Sequence, residues 1–216
     1  MLAYVFWHRP SAAGDTAAYE DALVAFHRSL ARSPPVGTLA SAVFRVADLP
    51  WPISPAYAAP GKPDAVTPAA PAPPAAANTY EDWYLIEDFA ALGVLNEAAV
   101  GRGHRTAHDE AARRFGAGAG ALYGLIEGEP GAEALGEASK AIWIARPPGS
   151  PSRGLGEMLG DGMDPSRASL WRRQLVLGPA PEFCLLAEDL PAGAAAGRLP
   201  GGWSALMLER EVLWSG

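Results

Sequence analysis

Phe6-Trp7-His8-Arg9-Pro10 and Trp143-Ile144-Ala145-Arg146-Pro147 are the two stretches on which the fold turns. Each closes an apolar run with an Arg-Pro stop and leads into a helix-like segment. A second echo follows in the same order, Glu81-Asp82-Trp83-Tyr84-Leu85-Ile86-Glu87-Asp88 against Glu182-Phe183-Cys184-Leu185-Leu186-Ala187-Glu188-Asp189. Two echoes in matching order point to duplicated supersecondary units, which must pack on one another to bury a shared core.

Working outward from the first stretch, residues 2–8 read as a buried strand. Asp15 or Thr16 can cap a helix running to about Arg32, with Tyr19, Leu23, Phe26 and Leu30 at spacings of three and four, and Pro34-Pro35 ends it. Residues 39–47 form a second strand. The stretch from Pro50 to Asn78 is mostly proline and alanine and is expected to run extended over the surface as an insertion. A third strand at 80–87 precedes a helical region from Phe89 to Phe115, broken near Gly101-Arg102-Gly103. A turn at Gly116 to Gly120 then feeds a fourth strand, 121–127.

After a small-residue link at 128–138 the order restarts. It comprises strand 140–146, a short glycine-containing helix at 153–160, strands 168–177 and 181–187, a degenerate Ala/Gly segment at 190–199, and strand 203–214. The expected fold class is therefore α+β, with tandem ferredoxin-like βαββαβ repeats at residues 1–128 and 139–216. Leu2, Tyr4 and Phe6 point one way while Ala3, Val5 and Trp7 point the other. Strands apolar on both faces predict antiparallel sheets closing into a barrel within one chain.

Composition narrows the function classes. With 216 residues, 49% of them hydrophobic, and seven tryptophans, the chain has ample material for a core. A net charge of −7 without any Lys/Arg cluster argues against nucleic acid as a partner. No run approaches the roughly 20 apolar residues of a membrane-spanning helix, and the N-terminus shows no basic lead. No membrane association and a cytoplasmic location are expected, and Cys184 reads as an inert buried thiol. Ala, Gly, Pro and Arg in abundance, with little Lys, suit a GC-rich bacterial genome. If one chain closes the barrel, it can be a monomer or a homodimer.

The element order, together with Trp83-Tyr84-Leu85-Ile86-Glu87-Asp88-Phe89-Ala90-Ala91-Leu92, resembles the dimeric α+β barrel superfamily. That superfamily includes antibiotic-biosynthesis monooxygenases, EthD-like proteins and haem-degrading relatives. The resemblance implies a small apolar or aromatic ligand held between a sheet and its helices. It also implies cofactor-independent monooxygenase or isomerase chemistry on an aromatic or polyketide-like compound, with no cofactor. Haem binding in the manner of the haem-handling relatives is one alternative, and a non-catalytic structural or sensing domain is another.

Three histidines are the candidate catalytic residues. His104 and His108 stand four apart before Phe115, and imidazole serves as a general base or a ligand to haem iron. His8 ends the first strand, where it can reach a pocket mouth and remove a proton. His27 is a weaker candidate. Trp7, Phe44, Trp83, Tyr84 and Trp143 lie on proposed strands and are candidate ligand-binding rings, although core filling is the better explanation of such residues. No metal site is expected, because the extra ligands lie on separate elements. Glu87, Asp88, Glu188 and Asp189 read as helix N-caps. Gly116-Ala117-Gly118-Ala119-Gly120-Ala121 matches a dinucleotide fingerprint only as text, since it follows a helix and precedes a strand.

Overall fold

The computed structural model describes residues 1–11, 15–46, 49, 78–101, 103–147, 149, 155, 168–174, 181–187, 199 and 202–216. Within them the chain forms β1 (Leu2–Pro10), α1 (Thr16–Arg32), β2 (Thr38–Val46), β3 (Thr79–Ile86), α2 (Phe89–Val100), α3 (Arg105–Ala112) and β4 (Phe115–Glu127). There follow α4 (Ala132–Glu137), β5 (Lys140–Ala145), β6 (Ala168–Arg173), β7 (Phe183–Ala187) and β8 (Ser204–Ser215). Asp15 caps α1, accepting from the Ala17 amide at 3.0 Å, and Asp88 caps α2 through the Ala91 amide at 2.9 Å. Both are aspartates immediately before a helical run, where a carboxylate satisfies otherwise orphaned N–H groups.

The expected Pro/Ala insertion, the short helix at 153–160, the segment at 190–199, and Glu188 and Asp189 lie outside the described residues apart from Asn78, Leu155 and Leu199. Three local expectations change. Residues 116–120 are not a turn but the first part of β4, and the 128–138 link contains α4. The helical region ends at Ala112 rather than Phe115.

The strands close into one barrel in the order β1-β3-β2-β8-β5-β7-β6-β4, every neighbouring pair antiparallel. β4-β1-β3-β2 and β8-β5-β7-β6 repeat one fourth-first-third-second order. The β2–β8 and β4–β6 ladders join the two sets of four, with Phe44 opposite Val212 and Leu125 opposite Trp171. Closure within one chain leaves the described strands without an open edge to template aggregation.

Strict alternation decides what fills the barrel. Ala3, Val5 and Trp7 of β1, Ala42 and Phe44 of β2, and Trp83 and Leu85 of β3 turn inward. They meet Trp143, Trp171, Cys184 and Leu186 of the later strands, and Leu135 of α4 packs on the same cluster. The rings interlock edge to face, Trp7 on Trp143 at 5.2 Å and Trp83 on Trp171 at 5.7 Å between centroids. Outward residues of the first four strands, Leu2, Tyr84 and Ile86 among them, carry α1 and α2 through Phe26, Leu30, Ala91 and Leu95. Among the described residues no helix is long and apolar enough to cross a membrane.

One charged group sits inside the barrel on each side of the join. Glu81 of β3 and Arg210 of β8 are fully buried, and Arg210 Nη1 donates to Glu81 Oε1 at 3.1 Å. The same carboxylate accepts from Trp83 Nε1 at 2.6 Å and from Trp7 Nε1 at 2.8 Å. Arg210 Nε donates to the Ala138 carbonyl at 2.9 Å, and its guanidinium lies 3.9 Å from the centre of the Phe44 ring. Removing one partner strands a buried charge, so Glu81→Gln or Arg210→Met alone should lower the unfolding free energy by about 3–5 kcal/mol. The double variant Glu81→Gln/Arg210→Met should lose less than the sum of the two, a difference that urea denaturation reads directly.

Candidate functional site

The alternation that sends Glu81 inward sends Asp82 outward, under the helices. A cavity of about 750 Å³ lies there, between the outer face of the first strands and α1, α2 and α3. The size is that of an ordinary small-molecule site. Tyr4 and Phe6 of β1 and Phe115 of β4 form its floor, and Leu23 and Phe26 of α1 one wall. Leu92, Leu95 and Ala99 of α2, with His108 and Ala111 of α3, form the other.

The polar groups gather where β1 and β3 pair. His8 and Tyr80 face each other in the ladder, next to Phe6 and Asp82. His8 Nε2 lies 3.1 Å from Asp82 Oδ1 and His27 Nε2 lies 3.6 Å from the same oxygen. Tyr84 donates to Asp82 Oδ2 at 3.1 Å, while Tyr19 Oη and His8 Nδ1 share a hydrogen bond of 2.7 Å. His27 Nδ1 is fixed by Ser41 Oγ at 2.9 Å, and its ring stacks on Tyr84. His8 and Asp82 are 1% and 3% exposed, so this chemistry is shielded from water.

Although close, His8 Nε2 and Asp82 Oδ1 are out of line for a hydrogen bond, and neither atom has a hydrogen-bond partner in the structure. Buried polar atoms are rarely left so, and each carries unused bonding capacity beside the cavity. Burial pushes the Asp82 carboxyl up. When His8 is protonated, its charge and the close approach of both imidazoles outweigh it and hold the group well below the carboxylate range. Burial first, and then the Asp82 charge, raises the Tyr19 and Tyr84 phenols, so both stay protonated.

The residues singled out in the sequence fall in three places. His8, His108 and Tyr84 line the cavity. Trp7, Phe44, Trp83 and Trp143 sit inside the barrel, on the opposite face of the same wall. His104 is a tie between helices, its Nδ1 bonded to Ser29 Oγ at 2.7 Å and its Nε2 to the Ser33 carbonyl at 3.0 Å. His108 Nδ1 contacts Asp109 at 3.2 Å, and its ring meets the edge of Phe26. Sequence reasoning missed Asp82 and Tyr19. The signal for Asp82 was present: two adjacent acids within a strand whose eight residues are all buried must put one carboxylate on each face.

Among the described residues no group of three or more His, Cys, Asp or Glu is arranged to hold a metal ion. Of the two histidines considered as haem ligands, only His108 faces the cavity. Both nitrogens of His104 are committed, and the described lining holds no Arg or Lys to receive propionates. Comparison of the chain with family models, with curated proteins and with solved structures returns no match.

The depressed carboxyl gives a pH signature. A group whose folded value lies below its unfolded one stabilises above the unfolded pKa, about 4 for Asp, and loses that contribution as pH falls towards the folded value. The stability difference between the wild type and Asp82→Asn should therefore be largest at neutral pH. It should narrow as pH drops below about 4, as followed by urea midpoints.

Proposed function

We propose that this chain is a tandem ferredoxin-like α+β barrel protein, with repeats at 1–128 and 139–216, built in the manner of the dimeric α+β barrel superfamily. On this reading it binds a small aromatic or polyketide-like molecule between its first sheet and helices. There it catalyses a cofactor-independent proton transfer, as the first step of a monooxygenase or isomerase reaction. The twice-repeated strand order supports the first part. The observation that carries the second is the unpartnered His8 Nε2 and Asp82 Oδ1 beside an apolar cavity.

His8 Nε2 takes the proton from an acidic O–H or C–H of the bound molecule. Asp82, 3.1 Å away, stabilises the imidazolium that forms, while Tyr19 Oη accepts from Nδ1–H, which fixes the ring and leaves the Nε2 lone pair free. Tyr84 and His27 keep the carboxylate in place from the other side. Because the barrel interior is packed with tryptophan, room for a ligand lies outside it, under the helices.

2-Naphthol serves as a test ligand, since its absorption reports the state of its hydroxyl. The wild type should bind it with a red shift towards the naphtholate spectrum. His8→Gln should bind it within about threefold of the wild-type affinity but without the shift, a change of under 1 kcal/mol. Binding without any shift in the wild type would exclude His8 as the base. A Soret band on haemin addition that disappears in His108→Ala would favour the haem-binding reading instead.

A further inference from the structure

We infer that Gly118 and Gly120 of β4 set the shape of the ligand and that Asp82 sets its charge, so that the cavity selects neutral fused-ring hydroxyl compounds and rejects carboxylates. This rests on the ligand-binding reading above and makes it specific to these three positions.

From Gly116 to Ala121 glycine and alanine alternate along β4. The alanines share the parity of Ala121, which packs inside the barrel, so the glycines fall on the cavity side. There Tyr4 and Phe6 of the neighbouring β1 lean across the glycine positions. A methyl group at Gly118 would stand 2.5 Å from Phe6 Cζ and 2.8 Å from the Phe115 ring. At Gly120 it would stand 2.7 Å from the Tyr4 hydroxyl and 2.9 Å from Tyr4 Cε2. Both contacts are with ring ends rather than backbone, and the open space available to a displaced ring is the cavity.

The rings along this wall are near parallel. Tyr4 and Phe6 are inclined by 18°, Phe6 and Phe115 by 26°, and Tyr4 and Tyr84 by 25°. Near-parallel rings side by side suit the face of a planar fused-ring system, whose stacking is paid by area rather than by hydrogen bonds. At the His8 end, a neutral hydroxyl whose proton passes to His8 Nε2 leaves the net charge beside Asp82 unchanged. A carboxylate brings only acceptors and a second negative charge into a dry site, where like charges are costly.

The test measures binding of phenol, 2-naphthol and 2-naphthoate by calorimetry to the wild type and to Gly118→Ala, Gly120→Val and Asp82→Asn, with circular dichroism confirming the fold of each. The wild type should prefer 2-naphthol to 2-naphthoate by at least about tenfold, and Asp82→Asn should erase most of that preference. Gly120→Val should weaken 2-naphthol by about tenfold or more while changing phenol by less than about threefold. Adding Tyr4→Ala to Gly120→Val should restore 2-naphthol by removing the displaced ring. Gly118→Ala, the milder change, should weaken 2-naphthol in the same direction. Equal wild-type affinity for naphthol and naphthoate, or glycine variants that bind naphthol as the wild type does, would overturn this inference while leaving the ligand-binding reading in place. Failure of both phenol and 2-naphthol to bind the wild type would overturn the two together.

Discussion

A single carboxylate in the middle of the barrel organises this protein. Glu81 receives two indole N–H groups and a guanidinium, and those donors come from β1, β3 and β8. An anion placed among tryptophans is tolerable only when each lone pair is used and a cation stands beside it. The arrangement is thus all or nothing. It forms only when the two sets of four strands have closed with Arg210 brought over Phe44 and under Ala138. Hydrophobic burial drives collapse of such a chain in any direction, whereas this contact specifies one register.

The same strand then does opposite work on its two sides. Glu81 is satisfied by the protein alone, among the packed tryptophans of the barrel interior. Asp82, one residue later, meets two imidazoles and a phenol yet keeps one oxygen without a hydrogen bond beside a cavity. Both carboxylates are almost wholly buried, so burial is not what separates them. The difference is whether hydrogen-bonding capacity is exhausted. A finished network stabilises, and an unfinished one in a dry pocket can recognise.

Much of the barrel was legible because period-two alternation and the echoed Arg-Pro and Glu-to-Asp stretches leave little choice of element type. The strands around Val5, Val43, Trp83 and Trp143 fall where their residues say they should. Which face is which was not legible. Trp7 and His8 are neighbours in a run apolar on both sides, so nothing local tells that the indole fills the barrel while the imidazole meets the cavity. Gly116 to Gly120 was read as a turn because glycine and alanine have poor strand propensity. They form a strand here because Tyr4 and Phe6 of the adjacent strand supply the side chains that β4 lacks. Asp82 was overlooked as chemistry because its partners, His8, His27 and Tyr84, come from three separate elements.

The loan of side chains from β1 to β4 has a consequence for how such a protein can diversify. At Gly118 and Gly120 the strand can gain bulk in small steps, and each gain meets the end of a ring rather than backbone. The barrel beneath would be untouched, since its filling depends on the opposite parity of the same strands. Ligand preference could therefore drift through small residues on one strand, without passing through an unstable intermediate.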